Sequence, residues 1–401
     1  MQYDVIVLGG GPAGSNFAYQ SAKLGFSTLL IEKRPFAHYK CCAGAIPREL
    51  FERYLLPTNI IERDVKGLLL VSPEQEQVKI DYDKVMGATT YRVELDKWLE
   101  KRAEDAGTRI LFERRAKSIK FSDDGVEVKL SDSQTLRSKV LVGASGTDQG
   151  LYQQLGIQRP DLAIGLQIEL SMEPNEIENM IGNRLEFYID QHYAREGYLW
   201  IFPKNEGVSV GLVDSLKSGT RRASLEAFIN GHPIASKKLK KARPRLFEGR
   251  YFHSAMIPNG PLKRTFGERY LLVGDAAGLV EPTTWQGIYY AMRSGDLASE
   301  AFREAFDKSD FSIQSLSSYQ FKWQRLFGKT FSEGMKIKQL VYGEKMAKIW
   351  SVIISELIRD NELKELVRIQ LIKEMSLTGL LNQIPLRKKL GLLYKYKTKS
   401  K

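Results

Sequence analysis

The alternation of apolar and polar positions divides the chain into a strand-and-helix opening, a long β-rich middle and a helical end. Val5–Leu8 is a short apolar run, Asn16–Gly25 carries a helical period closed by glycine, and Ser27–Ile31 is a second β-rich run. Val65–Lys79 and Ile80–Tyr91 read as strands broken at Ser72-Pro73-Glu74, and a helix with the stripe Leu95, Trp98, Leu99 and Ala103 follows Arg92. Ile110–Phe112, Ala116–Phe121 and Val126–Leu130 read as an antiparallel meander turning at Asp123-Asp124-Gly125, and Lys139–Gly146 as a strand ending in small residues. From Leu162 to Val213 the pattern is long β, in which Tyr198, Trp200 and Phe202 share one face of a strand. Tyr270–Val273 is a further strand, the helix after Gly287 runs through Ala301, and the last hundred residues keep a helical period.

The turns between these elements carry the chemistry. Gly9-Gly10-Gly11-Pro12-Ala13-Gly14 places G-x-G-x-x-G between a strand and a helix, with Glu32 at the end of the next strand. Such glycines allow a tight turn, close approach of backbone to a pyrophosphate, and close helix–strand packing. The helix N-terminus favours the phosphates, and Glu32 is placed to accept from ribose hydroxyls while repelling a 2′-phosphate. Gly274-Asp275, far along the chain, is a second strand-to-turn site suited to a ribitol or ribose hydroxyl, and the N–H groups of Gly287 and Ile288 open a helix towards a polar ring edge. Two such sites in one chain predict FAD, because an NAD enzyme has no use for the second. Between them, His38–Pro47 is a loop of small residues around Cys41 and Cys42, which suits backbone lying against something flat or bulky.

Composition narrows the classes. The 401 residues are 43% hydrophobic and 27% charged, as in a globular protein of two or three domains, with a formal charge of +12. No nucleic-acid signature accompanies that charge, which leaves an anionic substrate, a membrane surface or plain solubility. No apolar run is long enough to span a bilayer and no secretory signal is read, so the expectation is a cytoplasmic protein. The Leu- and Tyr-interleaved basic tail from Arg387 to Lys401 reads as a solvated end, with peripheral contact to the inner face of the cell membrane as the alternative. Two adjacent cysteines are no disulfide framework, and four scattered histidines give no metal-ligand spacing, so no metal is expected.

Taken together, KCCAGAIP at 40–47, GYLWIFPK at 197–204 and GDAAGLVEP with Gly287-Ile288 resemble, in order, three motifs of the geranylgeranyl reductase family, flavoproteins with a p-hydroxybenzoate-hydroxylase-like fold. The resemblance covers most of residues 1–300. It implies an α/β protein: a Rossmann-like FAD-binding domain (1–70, 95–160 and 265–305), an inserted antiparallel β-sheet substrate domain (71–94 and 161–264) and a helical C-terminal region (306–401). Carried over by position, it implies FAD contacts at Gly9, Gly11, Ala13, Gly14, Glu32, Ala43, Gly44, Arg92, Ala116, Asp275, Gly287 and Ile288. It places Cys42 near the flavin ring and Tyr198 and Trp200 on the substrate strand; read alone, Arg92 is a helix-end salt-bridge residue. The implied reaction saturates C=C bonds of geranylgeranyl chains on an isoprenoid lipid or prenyl diphosphate. Its electrons come from NAD(P)H, ferredoxin or another donor, and no nucleic acid is involved. The chain departs from the family pattern at Cys41, Ala43, Ser145 and Thr284-Trp285-Gln286. Ser145 removes an acid that flavin hydroxylases generally keep. The rival readings are a flavin monooxygenase or halogenase of the same fold, a flavoprotein passing electrons to a quinone, and a non-enzymatic flavin-binding module. The W-x-W-x-I-P of halogenases is absent, and two cysteines cannot ligate a four-cysteine iron–sulfur cluster.

Overall fold

A computed structural model describes residues 2–217, 219, 221–342, 346–373 and 388. The basic tail, Lys388 apart, lies outside the described residues. The chain divides into two compact units, Met1–His38 with Val93–Asp161 and Ile257–Ser332, and Tyr39–Arg92 with Leu162–Met256 and Glu333–Lys401.

The first unit is built on a sheet in the order Phe266–Gly267, Tyr270–Leu272, Thr135–Gly143, Gln2–Leu8, Thr28–Ile31, Arg109–Leu111. From Tyr270–Leu272 onward its pairs are all parallel. Strands of this kind, covered on both faces, need continuous apolar runs, and Val5, Ile6 and Val7 are fully buried as that demands. The expected meander is corrected in one strand. Arg109–Leu111 joins the parallel sheet beside Thr28–Ile31, while Ala116–Ser122 and Gly125–Leu130 form the hairpin that pairs antiparallel with Thr135–Gly143. The helix Pro12–Lys23 crosses the helix Ile288–Asp307 closely because Gly295 has no side chain: a Cβ there would stand 2.7 Å from Ala13 O. Asn16 locks that crossing by donating to Met292 O at 2.8 Å and Asp296 Oδ1 at 2.7 Å.

The second unit holds a sheet ordered Arg243–Arg245, Leu162–Ser171, Gly207–Ser215, Tyr198–Pro203, Arg184–Tyr188, Gly67–Val71, Gln77–Asp81. Expected antiparallel, it is mixed, since Arg184–Tyr188 and Gly67–Val71 run parallel. One face, carrying Leu166, Ile168, Leu170, Leu199, Ile201, Val208, Val210 and Leu212, packs with Leu225 and Phe228 of the helix Arg221–Gly231 into a hydrophobic core. Fully burying each such side chain stabilises by about 1.5–3 kcal/mol. A smaller core joins Val78 and Ile80 to Trp350 and Ile354 of the helix Met346–Arg359. The domain boundaries differ from the expectation at both ends of this unit: residues 39–70 group with the second sheet instead of the cofactor domain, and the C-terminal helices divide between the units near Ser332.

Candidate functional site

In the first unit the glycine motif sits where the sequence puts it. Gly9 has φ +112°, and a Cβ there would stand 2.4 Å from Ala144 O; one at Gly14 would stand 2.0 Å from Gly9 O. The turn therefore tolerates no side chain at either position. Gly11 is the N-cap of the helix Pro12–Lys23, no side chain caps it and its first turn holds no acid, so the N–H groups of Ala13 and Gly14 present a positive end to an anion. Buried Glu32 takes the Gly10 N–H at 2.6 Å on one oxygen and the Arg34 N–H at 2.9 Å on the other. Each oxygen keeps a lone pair for a ribose hydroxyl. Ala116 opens the strand that follows Arg114, whose N–H donates to Glu32 O at 3.1 Å.

The second turn converges on the first. Gly274 has φ +58°, and a Cβ on it would lie 2.8 Å from Ala13 Cβ, which sets Asp275 beside the first turn of the helix. Gly287 caps the helix that begins at Ile288, and a Cβ on it would come 3.5 Å from Asp275 Oδ1. Where the family pattern has a glycine-rich turn, a buried carboxylate organises the backbone instead. Glu281 accepts from the N–H and hydroxyl of Thr283 at 2.9 and 2.8 Å, and from those of Thr284 at 2.6 and 2.8 Å. That leaves Trp285 at φ +52°. Burial pushes the Glu281 carboxyl above the usual range, and these donors pull it back. A cradle too tight for side chains, an uncapped helix N-terminus, and the carboxylates of Glu32 and Asp275 at the two turns fit FAD.

In the second unit the register sets out one sheet face. Gln167 lies opposite Gly211, Gly211 opposite Trp200, and Trp200 opposite Phe187; in the next row Glu169 faces Ser209, and Ser209 faces Phe202. This is the face away from the hydrophobic core. Its aromatic half is a continuous wall, with ring centroids 5.4 Å apart for Phe187–Tyr198, 5.2 Å for Phe187–Phe202 and 6.2 Å for Tyr198–Trp200. Trp200 lies over Gly211, where a Cβ would meet its ring at 2.3 Å.

The other half of the face is polar and buried, and sequence reasoning missed it. Glu169 accepts from Ser209 Oγ at 2.8 Å, from Tyr39 OH at 2.9 Å and from Gln167 Nε2 at 2.6 Å. Lys204 Nζ donates to Ala43 O at 2.7 Å and to Thr90 O at 2.8 Å. Cys42 O lies 3.3 Å from Gln167 Nε2, and the Cys41 thiol points to Gly165 O at 3.9 Å, so the cysteine loop rests on this polar half. Burial raises the Cys41 thiol; the neighbouring Cys42 and Glu169 add to the rise, and Arg92 opposes it. Burial likewise raises Tyr39, helped by Glu169. Gly44, at φ +73°, admits the Thr90 carbonyl where a Cβ would stand 1.9 Å away. Two buried polar atoms of the face, Gln167 Oε1 and Trp200 Nε1, have no hydrogen-bond partner and so keep bonding capacity unspent. The available signal was parity: Gln167 and Glu169 alternate with Leu166, Ile168 and Leu170, which marks a two-faced strand.

The predicted residues thus fall into two sets. Gly9, Gly11, Ala13, Gly14, Glu32, Ala116, Asp275, Gly287 and Ile288 belong to the first unit, and Cys42, Ala43, Gly44, Arg92, Tyr198 and Trp200 to the second.

Comparison with known proteins assigns the family. Residues 2–298 match the family model described as FAD binding domain. A digeranylgeranylglycerophospholipid reductase of Methanocaldococcus jannaschii is 32% identical over 94% of this chain and 96% of its own length. Digeranylgeranylglycerophospholipid reductase 2 of Methanothermobacter thermautotrophicus is 31% identical over 96% and 97%. Among solved structures, a geranylgeranyl bacteriochlorophyll reductase-like protein from Thermoplasma acidophilum superposes with a TM-score of 0.79 at 24% identity, covering 96% of both chains. The flavin-dependent brominase Bmp2 reaches 0.72 at 18%, over 95% of this chain and 94% of its own, a likeness of fold. The chain belongs to the digeranylgeranylglycerophospholipid reductase family of FAD-binding oxidoreductases.

Proposed function

We propose that the chain saturates C=C bonds of geranylgeranyl chains carried on a glycerophospholipid. The observation that carries this reading is the wall of Phe187, Tyr198, Trp200 and Phe202, a large aromatic surface that among the described residues joins none of the hydrophobic cores. The names and near full-length coverage of the relatives support it.

An isolated trisubstituted alkene has no carbonyl to stabilise developing negative charge, so its reduction needs a proton at one carbon and a hydride at the other. Reduced FAD, when bound, supplies the hydride. We assign FAD contacts to Gly9, Gly11, Ala13, Gly14, Glu32, Ala116, Asp275, Gly287 and Ile288, and carry over Ala43, Gly44 and Arg92 from the family resemblance alone. Tyr198 and Trp200 seat the prenyl chain, exclude water, and stabilise cationic character through their π faces as the proton adds. Cys42 is assigned as a proton-handling or ring-tuning group. The electron donor is NAD(P)H, ferredoxin or another carrier, the basic excess serves the phosphate of the head group, and contact with a membrane surface is peripheral.

The test is an anaerobic one. FAD-loaded enzyme is reduced with dithionite and mixed with a digeranylgeranyl glycerophospholipid. Return of the oxidised flavin absorbance without oxygen supports the reading; return only on admission of oxygen sinks it.

A further inference from the structure

Lys204 is the most deeply buried cation described in the second unit, with 0% of its surface exposed. It follows Pro203 at the end of the aromatic strand, yet among the described residues its ammonium makes no direct bond to a carboxylate. Its two bonds go to the carbonyls of Ala43 and Thr90, on two different segments, and its charge lies 5.1 Å from the Tyr91 ring centroid. Burial pushes the Lys204 pKa down, and Glu169 opposes that as its counter-charge. Burying an ammonium costs several kcal/mol in desolvation, which its two carbonyl acceptors and the counter-charge of Glu169 offset.

What it does is visible in the loop. Gln167 Nε2 lies within reach of Tyr39 OH, Glu169 Oε1 and Cys42 O, at 2.7, 2.6 and 3.3 Å, but carries two hydrogens; the Cys42 carbonyl is its longest and weakest claim. Lys204 is therefore the firm link between the loop and the sheet face. It closes a ring of bonds, because the Thr90 N–H donates back to Gly44 O at 2.9 Å and the Thr89 hydroxyl to Pro203 O at 2.6 Å.

We propose that Lys204 is a positioning residue for the reaction: its ammonium, balanced by Glu169, latches the Cys42–Gly44 loop to the sheet face that carries Trp200 and so fixes where Cys42 stands. The latch rests on the function proposed above for its consequence in turnover, but not for its geometry.

The experiment uses full-length FAD-loaded enzyme in a Cys41→Ser background. Three variants are compared: Lys204→Met, Glu169→Gln and the two together. Each single variant leaves one buried charge uncompensated and lowers the melting temperature. The double variant removes both charges and recovers most of it, yet still leaves Ala43 O and Thr90 O without a donor. Its kcat for lipid reduction stays down by about 10-fold or more while KM holds, and iodoacetamide alkylates Cys42 about 10-fold faster than in the parent, as loss of a charge-assisted buried bond implies. A double variant with parental kcat and parental alkylation overturns the proposal. Should no variant fold, hydrogen exchange of the unaltered enzyme decides: the Thr90 amide must exchange as slowly as those of residues 198–202, and exchange at an unprotected rate overturns the latch. If the lipid is not reduced at all, the functional reading fails, while alkylation and exchange still decide the latch.

Discussion

Replacing Gly211 by alanine presses on the joint between the aromatic and polar halves of the sheet face. The added Cβ would stand 2.3 Å from Trp200 Cζ2 and 2.6 Å from Leu166 O, whereas ordinary contact begins at 3.4 Å. The indole has to yield by about 1 Å, and the carbonyl, which belongs to a ladder, cannot retreat without disturbing its strand. Overpacking of this kind costs about 2 kcal/mol, or roughly 30-fold in the folding equilibrium. A substrate wall displaced by about 1 Å costs up to about 100-fold in turnover. Urea unfolding gives the first quantity and steady-state reduction of the lipid the second. Gly231→Ala is the control, because a Cβ at the end of the helix Arg221–Gly231 meets no atom within 4 Å. Wild-type stability in Gly211→Ala would refute the packing; a loss of stability with unchanged turnover would refute Trp200 as part of the substrate wall.

Other outcomes follow from single sites. Gly9→Ala combines φ +112° with a clash at Ala144 O, and the purified protein should carry little flavin, measured as absorbance ratio to protein; full occupancy contradicts the cradle. Adding FAD to stripped enzyme at about 100 times its dissociation constant should stabilise it by about 2.7 kcal/mol, read by thermal shift. Buried His232 accepts through Nδ1 from the N–H groups of Ile234 and Ala235, both at 3.2 Å, and burial pushes its pKa down to about 4 from an ordinary 6.5. Between those values the unfolded chain binds a proton that the fold refuses, so stability falls as pH drops from 6.5 towards 4. His232→Asn should flatten that slope in urea titrations at a series of pH values, and an unchanged slope would remove histidine as its cause.

How much of this was legible in the sequence depends on the range of the interaction. The glycine turn and Glu32 are local, written within one strand–turn–helix unit, and their geometry follows from backbone sterics alone. Asp275 could be placed because its own turn has the same local logic, although what brings it beside Ala13 is Gly295 in a later helix, a packing fact without a motif. The face shared by Tyr198, Trp200 and Phe202 followed from the two-residue period. Which face it was did not, because that depends on Leu199 and Ile201 packing with the helix Arg221–Gly231. The polar network stayed hidden for the same reason. Tyr39, Gln167, Glu169, Lys204 and Ser209 come from four segments, and strand register together with the packing of the cysteine loop on the sheet makes them neighbours. The edge strand Arg109–Leu111 was read as meander because a three-residue run carries too little pattern to name its partner.

Reduction of an unconjugated double bond is tested most directly by mass spectrometry of the product lipid. Reduced enzyme is incubated with a digeranylgeranyl glycerophospholipid in the absence of oxygen and the isoprenoid chains are weighed. Gains in steps of two hydrogens are expected. A product carrying an added oxygen or halogen, or a lipid returned unchanged while the flavin stays reduced, would contradict it.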